Sequence, residues 1–293
     1  MRKQFVKTIE EILSKDNRLV VLLGDIGIFG FNNSFKNYPS RVYNIGILEQ
    51  STIGVAAGLS MNGLVPVVHT IAPFIVERGF EQIKDDFGYQ KLGGNFVSVG
   101  ASYDYAALGC THHCPADVGV LKNIPGVEII VPGTASEFDR LFKSSYADGK
   151  PTYFRLSEKS NTQSYDVEFG KAFIIKKGSK ATVIAVGPML DMVKEACKDL
   201  DVTILYYTTL APFDEGTLAN AISGKTIFVC EPFYEGTLSF DVSKALSKMS
   251  IMPRMVYIGV PREFIHYYGK SEDIDKHLKL RTEDIRERIV NNI

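Results

Sequence analysis

The sequence predicts two consecutive α/β domains, each built on a mainly parallel β-sheet. Short apolar runs alternate with segments of helical periodicity, which is the pattern of strands joined by helices. The 293 residues are close to the length of two ordinary domains. A polar stretch over residues 157–166 separates two such series, so we expect domains at residues 1–160 and 170–293.

The first series opens with a helix in which Phe5, Ile9 and Ile12 share one face. The run Leu19–Leu23 is apolar throughout, as expected for a strand buried on both sides of a parallel sheet. The helix expected at residues 51–61 is rich in small residues, which indicates close packing against a neighbour. Further strands are expected at 41–45, 66–70, 95–99, 127–131 and 152–156, and further helices at 74–89 and 136–147.

The second series repeats this alternation after the polar stretch. Strands are expected at 181–186, 202–206, 226–230 and 255–258, and helices at 191–199, 213–222, 237–248 and 282–291.

Composition narrows the classes of function. Lys and Arg total 33 against 34 Asp and Glu, and this balance argues against a nucleic-acid binder. No apolar run approaches the roughly 18–20 residues that span a membrane, and the N-terminus lacks the apolar run of a signal peptide. Four cysteines do not make a disulfide framework. We therefore expect a cytoplasmic protein with neither a nucleic-acid nor a membrane partner.

The densest polar cluster contains Cys110, His112, His113 and Cys114. A zinc site is one interpretation, but four ligands within five residues would need a very contorted loop. These side chains could instead satisfy backbone groups of a loop. A third interpretation is a loop that presents one imidazole to a ligand, because an imidazole can transfer protons near neutral pH.

Glu49 lies between a predicted strand and the helix of small residues. Shielding from water there would raise the pKa of its carboxyl group and let it share a proton near neutrality. Alternatively, it is an ordinary acid at a helix start, favoured by the helix dipole. Asp25 follows a buried strand, where α/β proteins bind ligands. Phe74 fits either a core or a cofactor contact.

Several segments share the pattern of one family. Residues 44–50 read Asn-Ile-Gly-Ile-Leu-Glu-Gln around Glu49, and residues 78–82 read Arg-Gly-Phe-Glu-Gln after the aromatic Phe74. Residues 109–112 read Gly-Cys-Thr-His, and residues 259–264 read Gly-Val-Pro-Arg-Glu-Phe. Over essentially the whole chain these segments resemble the C-terminal half of transketolase. The resemblance is closer to the separate second subunit of a split transketolase.

The resemblance implies a thiamine diphosphate enzyme that transfers a two-carbon ketol unit between sugars. The first domain would hold the cofactor's pyrimidine ring, with Glu49 bonded to a ring nitrogen, and His112 would lie near the reacting oxygens. These two are the implied catalytic residues, and the second domain would serve mainly in assembly. The implied cofactor-binding residues are Asp25, Ile47, Glu49, Phe74 and Arg78, and the implied substrate-binding positions are Arg2, His112 and Glu158.

One family motif is absent. The family binds the diphosphate and its Mg²⁺ through Gly-Asp-Gly and a downstream Asn, and residues 24–27 read Gly-Asp-Ile-Gly instead. We see no set of oxygen ligands for Mg²⁺ in this chain. The resemblance therefore implies a partner subunit of the N-terminal-half type, which supplies the metal and diphosphate site. We expect a heterotetramer with two copies of each chain.

Three departures bear on the substrate. Leu108 stands where the family has an Asp that recognises a sugar hydroxyl, and Glu158 stands where it has a phosphate-binding Arg. A second loop His is replaced around Ser102. Because a carboxylate repels a phosphate, we expect an unusual acceptor, either unphosphorylated or carrying its charge elsewhere, as a nucleotide sugar does.

Rival functions remain at this stage. A 2-oxoacid dehydrogenase beta subunit has the same two-domain layout and an essential Glu, and a deoxyxylulose-phosphate synthase-like carboligase is also related. The nature of the donor, pyruvate or a hydroxyketone, separates them from a transketolase. A scaffolding subunit that has lost catalysis is the non-enzyme alternative. The presence of Glu49, Phe74 and His112 argues against it.

Overall fold

The computed structural model describes residues 1–247 and 253–293. Two mainly parallel sheets with helices packed on them confirm the predicted fold class. The predicted helix end at Lys248 lies outside the described residues. Within those ranges, no helix is long and apolar enough to cross a membrane.

The first sheet contains seven strands in the order β10-β5-β6-β4-β3-β1-β2. All neighbours pair in parallel except β10, which pairs antiparallel with β5. Because β10 comes from the second half of the chain, that half completes the first sheet. The strands are β1 Leu19–Leu23, β2 Val42–Asn44, β3 Val65–Ile71, β4 Gly94–Val99, β5 Glu128–Ile130, β6 Pro151–Arg155 and β10 Thr209–Ala211.

The second sheet has five strands in the order β12-β11-β8-β9-β7. Only β7 pairs antiparallel, at one edge. The chain order reverses between β8 and β11, and such a reversal opens a crevice at the carboxyl ends of the strands. The strands are β7 Phe173–Lys176, β8 Ala181–Val186, β9 Val202–Tyr207, β11 Thr226–Tyr234 and β12 Arg254–Val260.

The helices cover these sheets. In the first one, Phe5, Ile9 and Leu13 are completely buried, as their periodicity predicts. The α-helices are α1 Arg2–Leu13, α2 Asn32–Asn37, α3 Glu49–Met61, α4 Phe80–Gln82, α5 Asp117–Leu121, α6 Ala135–Ser145, α7 Leu190–Ala196, α8 Glu215–Ala221, α9 Ser239–Leu246, α10 Ser271–His277 and α11 Thr282–Val290. Short 3₁₀ turns occur at Ile28–Phe31, Ala106–Leu108, Cys110–His112 and Gly187–Met189.

The predicted helix at residues 74–89 is helical but mostly not α-helical. Two π-helical segments, Phe74–Arg78 and Ile83–Tyr89, flank the single turn of α4. A π-turn accommodates an extra residue and is frequent at functional sites. Sequence periodicity also missed α2, α5, α10, β7 and β10, which are short elements.

Candidate active site

Glu49 is the first residue of α3, directly after the loop that follows β2. Its side chain is only 5% exposed. The Arg78 guanidinium lies 3.4 Å from Oε2, whereas Oε1 has no hydrogen-bond partner among the described residues. A buried carboxylate oxygen without a partner is uncommon. Glu49 is thus both an acid at a helix start and a carboxylate shielded from water.

A close contact between two helical segments brings Arg78 to Glu49. Gly79 follows the Phe74–Arg78 segment, and a Cβ there would collide with the Ile53 side chain of α3 and would lie 2.7 Å from the Ile75 carbonyl oxygen of its own segment. A larger residue at position 79 would therefore displace Ile53 and strain the turn.

Phe74 links this carboxylate to the predicted histidine. The Arg78 guanidinium lies 3.9 Å from the centroid of the Phe74 ring, in cation–π geometry. The Phe74 ring also lies edge to face with the His112 imidazole, at 5.3 Å between centroids. The structure therefore brings Glu49, Arg78, Phe74 and His112 into one continuous row, which we call the edge row.

The loop that carries His112 makes a 3₁₀ turn at Cys110–His112. The imidazole Nδ1 lies 2.9 Å from the Thr111 hydroxyl. Within residues 1–247 and 253–293, no group of three or more His, Cys, Asp or Glu side chains is arranged to hold a metal ion. The loop places the His112 imidazole beside Phe74, with Nδ1 next to the Thr111 hydroxyl.

The second half of the chain also reaches this loop. Gly109 has a φ of 73°, and a Cβ there would collide with the Tyr268 ring. Tyr268 itself is 70% exposed. The C-terminal half thus contacts the loop of the candidate active site, in addition to any part it has in assembly.

Asp25 and Ile47 lie at the carboxyl ends of β1 and β2. The Asp25 backbone N–H donates to Asn44 Oδ1 at 3.0 Å, and Asn44 Nδ2 donates to Asp25 Oδ1 at 3.2 Å. Asp25 is exposed, and Ile47 is 64% exposed in the turn before Glu49. In the described residues neither makes a hydrogen bond to the edge row, so only their position at this sheet edge links them to it.

Arg2 and Glu158 line one cavity of about 100 Å³, with Tyr105 between them. Both side chains are exposed. Glu158 and Tyr105 also line a larger cavity of about 380 Å³, which Leu108 borders. Two of the three predicted substrate positions are therefore neighbours and form a pocket of mixed charge, and the third, His112, does not line either cavity.

Sequence reasoning missed a buried ion pair beneath the His112 loop. Arg155 Nε lies 2.7 Å from Asp117 Oδ2, and the two side chains are 1% and 0% exposed. The signal available was an Arg at the end of a strand that is otherwise apolar, because a fully buried Arg requires a partner.

Comparison with known proteins identifies the family to which both halves of the chain belong. The family model of the transketolase pyrimidine binding domain matches residues 1–163, and that of the transketolase C-terminal domain matches residues 170–285. An uncharacterised 33.6 kDa protein in the fasciation locus of Rhodococcoides fascians is 41% identical, over 92% of this chain and 88% of its own length.

A characterised relative and a solved structure agree with the family models. One of the subunits of the apulose-4-phosphate transketolase of Phocaeicola vulgatus is 30% identical, over 97% of this chain and 94% of its own. A split-gene transketolase, described as an inactive beta4 tetramer, superposes with a TM-score of 0.86. It is 25% identical and covers 99% of this chain and 97% of its own.

Proposed function

The chain belongs to the transketolase family, as a subunit of a transketolase-like transferase that acts with a partner subunit. From that premise we propose that this subunit holds the pyrimidine side of thiamine diphosphate and that the assembled enzyme transfers a two-carbon ketol unit from a ketose to an aldehyde or sugar acceptor. The observation that carries the proposal is the edge row, in which a buried carboxylate, an aromatic ring and an imidazole adjoin.

The residues present fit the pyrimidine ring of this cofactor. Glu49 Oε1 is buried without a partner among the described residues, and a ring nitrogen with its proton would satisfy it. Phe74 offers an aromatic surface beside that carboxylate, and Asp25 and Ile47 border the same sheet edge. When bound, the cofactor supplies an electron sink for breaking and forming the carbon–carbon bond.

The chain's own residues would move and hold protons. Arg78 restrains Oε2 of Glu49, which leaves Oε1 to share a proton with the ligand. The Thr111 hydroxyl lies beside Nδ1 of His112, which leaves Nε2 as the atom that exchanges a proton with a substrate oxygen. The edge-to-face contact with Phe74 restricts the orientation of that imidazole.

The metal and the diphosphate would be held by the partner. The described part of this chain contains no cluster of three acidic, His or Cys residues arranged for a cation. The relatives described as a transketolase subunit and as a split-gene transketolase support a second chain. We assign the Gly-Asp-Gly motif, with Mg²⁺, to that chain and propose a heterotetramer with two copies of each polypeptide.

The state of the cysteines supports a cytoplasmic location for the enzyme. All four cysteines, Cys110, Cys114, Cys197 and Cys230, are free thiols. A reducing cytoplasm maintains that state, and we assign the enzyme to that compartment.

The pocket of Arg2 and Glu158 argues for an unusual acceptor. A phosphate brought to Arg2 would meet the Glu158 carboxylate in the same cavity. Leu108, which is 53% exposed, offers an apolar surface where the family recognises a hydroxyl. The acceptor would then be unphosphorylated at this end, or would carry its charge elsewhere, as a nucleotide sugar does.

The test is substrate profiling of the assembled enzyme with thiamine diphosphate and Mg²⁺. A partner carrying Gly-Asp-Gly and a downstream Asn is purified with this chain, and ketoses and pyruvate are compared as donors. We expect ketose donors, weak use of pentose phosphates, and a lower KM for phosphorylated acceptors in Glu158→Arg. Exclusive use of pyruvate would overturn ketol transfer, and a strong wild-type preference for pentose phosphates would overturn only the acceptor proposal.

A further inference from the structure

The loop that carries His112 is closed at both ends by one buried side chain. Arg155, at the end of β6, contacts Ser102 at the start of this loop and Asp117 at its end. We propose that Arg155 is a positioning residue, whose guanidinium holds the loop and thereby orients the His112 imidazole. We call Arg155, Ser102 and Asp117 the clasp. The catalytic consequence rests on the proposed function, whereas the clasp rests on contacts alone.

The clasp uses separate nitrogens of one guanidinium. Arg155 Nε donates to Asp117 Oδ2 at 2.7 Å, and Nη2 donates to Ser102 Oγ at 2.6 Å. Ser102 also forms an isolated antiparallel bridge with Cys114, two residues after His112. The loop between the two ends therefore has little freedom to move relative to β6.

The acceptor side of the clasp is itself fixed. Asp117 Oδ2 also accepts from the Tyr153 hydroxyl at 2.9 Å, and Oδ1 accepts from the Val118 backbone N–H at 2.9 Å. The Tyr153 hydroxyl lies 2.7 Å from the Ser98 hydroxyl on β4. Both carboxylate oxygens of Asp117 therefore accept hydrogen bonds from groups other than Arg155 as well. These bonds hold Asp117 in place when another cation, such as a lysine, replaces Arg155.

The second sheet contributes the third contact of the guanidinium. Strand β11 pairs with β8 only as far as Cys230, and its pairing with β12 resumes at Tyr234. The carbonyl oxygen of Pro232, inside this interruption, accepts from Arg155 Nη2 at 3.2 Å and from the Ser102 hydroxyl. The Tyr234 backbone N–H then donates to the carbonyl oxygen of Pro115, in the His112 loop, at 2.9 Å. The clasp thus couples the candidate active site to the second half of the chain.

Two substitutions separate the clasp from simple folding. Arg155→Lys keeps the positive charge beside Asp117 but loses the planar fork that reaches two acceptors at once. Ser102 has a φ of 52°, a left-handed conformation that glycine adopts without strain. Ser102→Gly is therefore compatible with the backbone path, and it removes the side chain together with the hydroxyl that contacts Arg155. Arg140→Lys, at an exposed pair with Asp166, is the matched control.

The experiment combines hydrogen–deuterium exchange of the full chain with kinetics of the assembled enzyme. In Arg155→Lys and Ser102→Gly, we expect faster exchange in peptides covering residues 103–116 but unchanged exchange in β1 and β3. We expect kcat to fall about 10- to 100-fold, with acceptor KM changed less than about threefold. The double variant should be no slower than Arg155→Lys alone, because both changes break the same contact.

The outcomes are distinguishable. Loop exchange that is unchanged in both variants overturns the clasp, as does kcat equal to that of Arg140→Lys. If Arg155→Lys does not fold, Ser102→Gly alone decides by the same two readouts. If the wild-type complex transfers no ketol unit while loop exchange rises in the variants, the proposed function fails but the clasp stands.

Discussion

The edge row and the clasp both lie at the carboxyl ends of the strands of the first sheet, and the loop that carries His112 connects them. In the edge row, Glu49 is buried but one of its oxygens has no partner among the described residues, and Arg78 is exposed. In the clasp, Arg155 and Asp117 are as deeply buried, but each has several partners. Each site thus contains a carboxylate and a guanidinium. The carboxylate of the edge row has an oxygen without a partner among the described residues, whereas both oxygens of Asp117 in the clasp accept hydrogen bonds.

This difference separates two uses of buried charge. A buried ion pair with complete hydrogen bonding is costly to break, and it tends to fix local structure. A buried carboxylate oxygen without a partner costs stability, typically about 1–3 kcal/mol, and can accept a hydrogen bond from a donor on another molecule. Changes in the edge row should therefore affect activity more than stability, and changes in the clasp should affect stability strongly.

The largest expected effect is on activity, in Glu49→Gln. The amide keeps the shape of the side chain but cannot hold a proton as a carboxyl group does, so we expect kcat of the assembled enzyme to fall about 10²- to 10⁴-fold. The free energy of unfolding, measured by urea denaturation of the chain, should change by less than about 1 kcal/mol. Retained activity would instead support the scaffolding alternative.

The second effect is on stability, in Arg155→Met. Removing the cation leaves the Asp117 carboxylate buried without its charge partner, which typically costs about 3–5 kcal/mol. Adding Asp117→Asn to this variant should restore part of the loss, because it removes the unpaired charge. Urea denaturation of the two variants measures both steps. If Arg155→Met lowered the free energy of unfolding by less than about 1 kcal/mol, the Arg155–Asp117 pair would contribute no more than an exposed ion pair does.

The third effect is a pH dependence at Asp104, which lines one cavity with Arg155 and another with Glu158. Burial raises the pKa of its carboxyl group to about 6, despite a hydrogen bond from the Glu158 backbone N–H at 2.9 Å. Between about pH 4 and 6 the unfolded chain releases this proton while the folded chain keeps it. Wild-type stability should therefore fall relative to Asp104→Asn as pH rises from about 4, by roughly 3 kcal/mol in total, and the difference should level off above about pH 7.

Thermal or urea unfolding at several pH values measures this slope. Asp166→Asn, which removes an exposed carboxylate, is the control for loss of a negative charge at the surface. Parallel pH profiles for the wild type and Asp104→Asn would contradict burial as the cause.

The smallest effect is expected at the exposed counterpart of the clasp. Arg140 Nη2 lies 2.6 Å from Asp166 Oδ1, as short as the contacts of Arg155, but the two side chains are 52% and 83% exposed. Water screens such a pair, so Arg140→Ala should change the free energy of unfolding by less than about 1 kcal/mol. A loss as large as that of Arg155→Met would show that distance, rather than burial, decides the strength of these pairs.

Local pattern was enough to predict the main strands. The bounds of β1 and β8 agree with the apolar runs that predicted them, because a strand buried on both faces needs continuous apolar sequence. The members of the edge row were predicted through the resemblance, and the structure brings them into contact. Their roles remain predictions.

Features that depend on distant residues could not be predicted. β10 has only three residues, and it is a strand because the edge of β5 is available to pair with it. Arg155 lies 38 residues from Asp117 and 53 from Ser102, so no local pattern joins them. The π-helical segments around Phe74 have no counterpart in the helical periodicity of the sequence.

The position of β10 has a consequence during translation. The edge of β5, with Ile129 and Ile130 fully buried in the finished protein, stays uncovered until residues 209–211 leave the ribosome. At ordinary rates of synthesis that interval lasts a few seconds. A nascent chain of the first 163 residues would therefore expose an incomplete sheet to chaperones, and a gene split at the polar stretch would divide that sheet between two polypeptides.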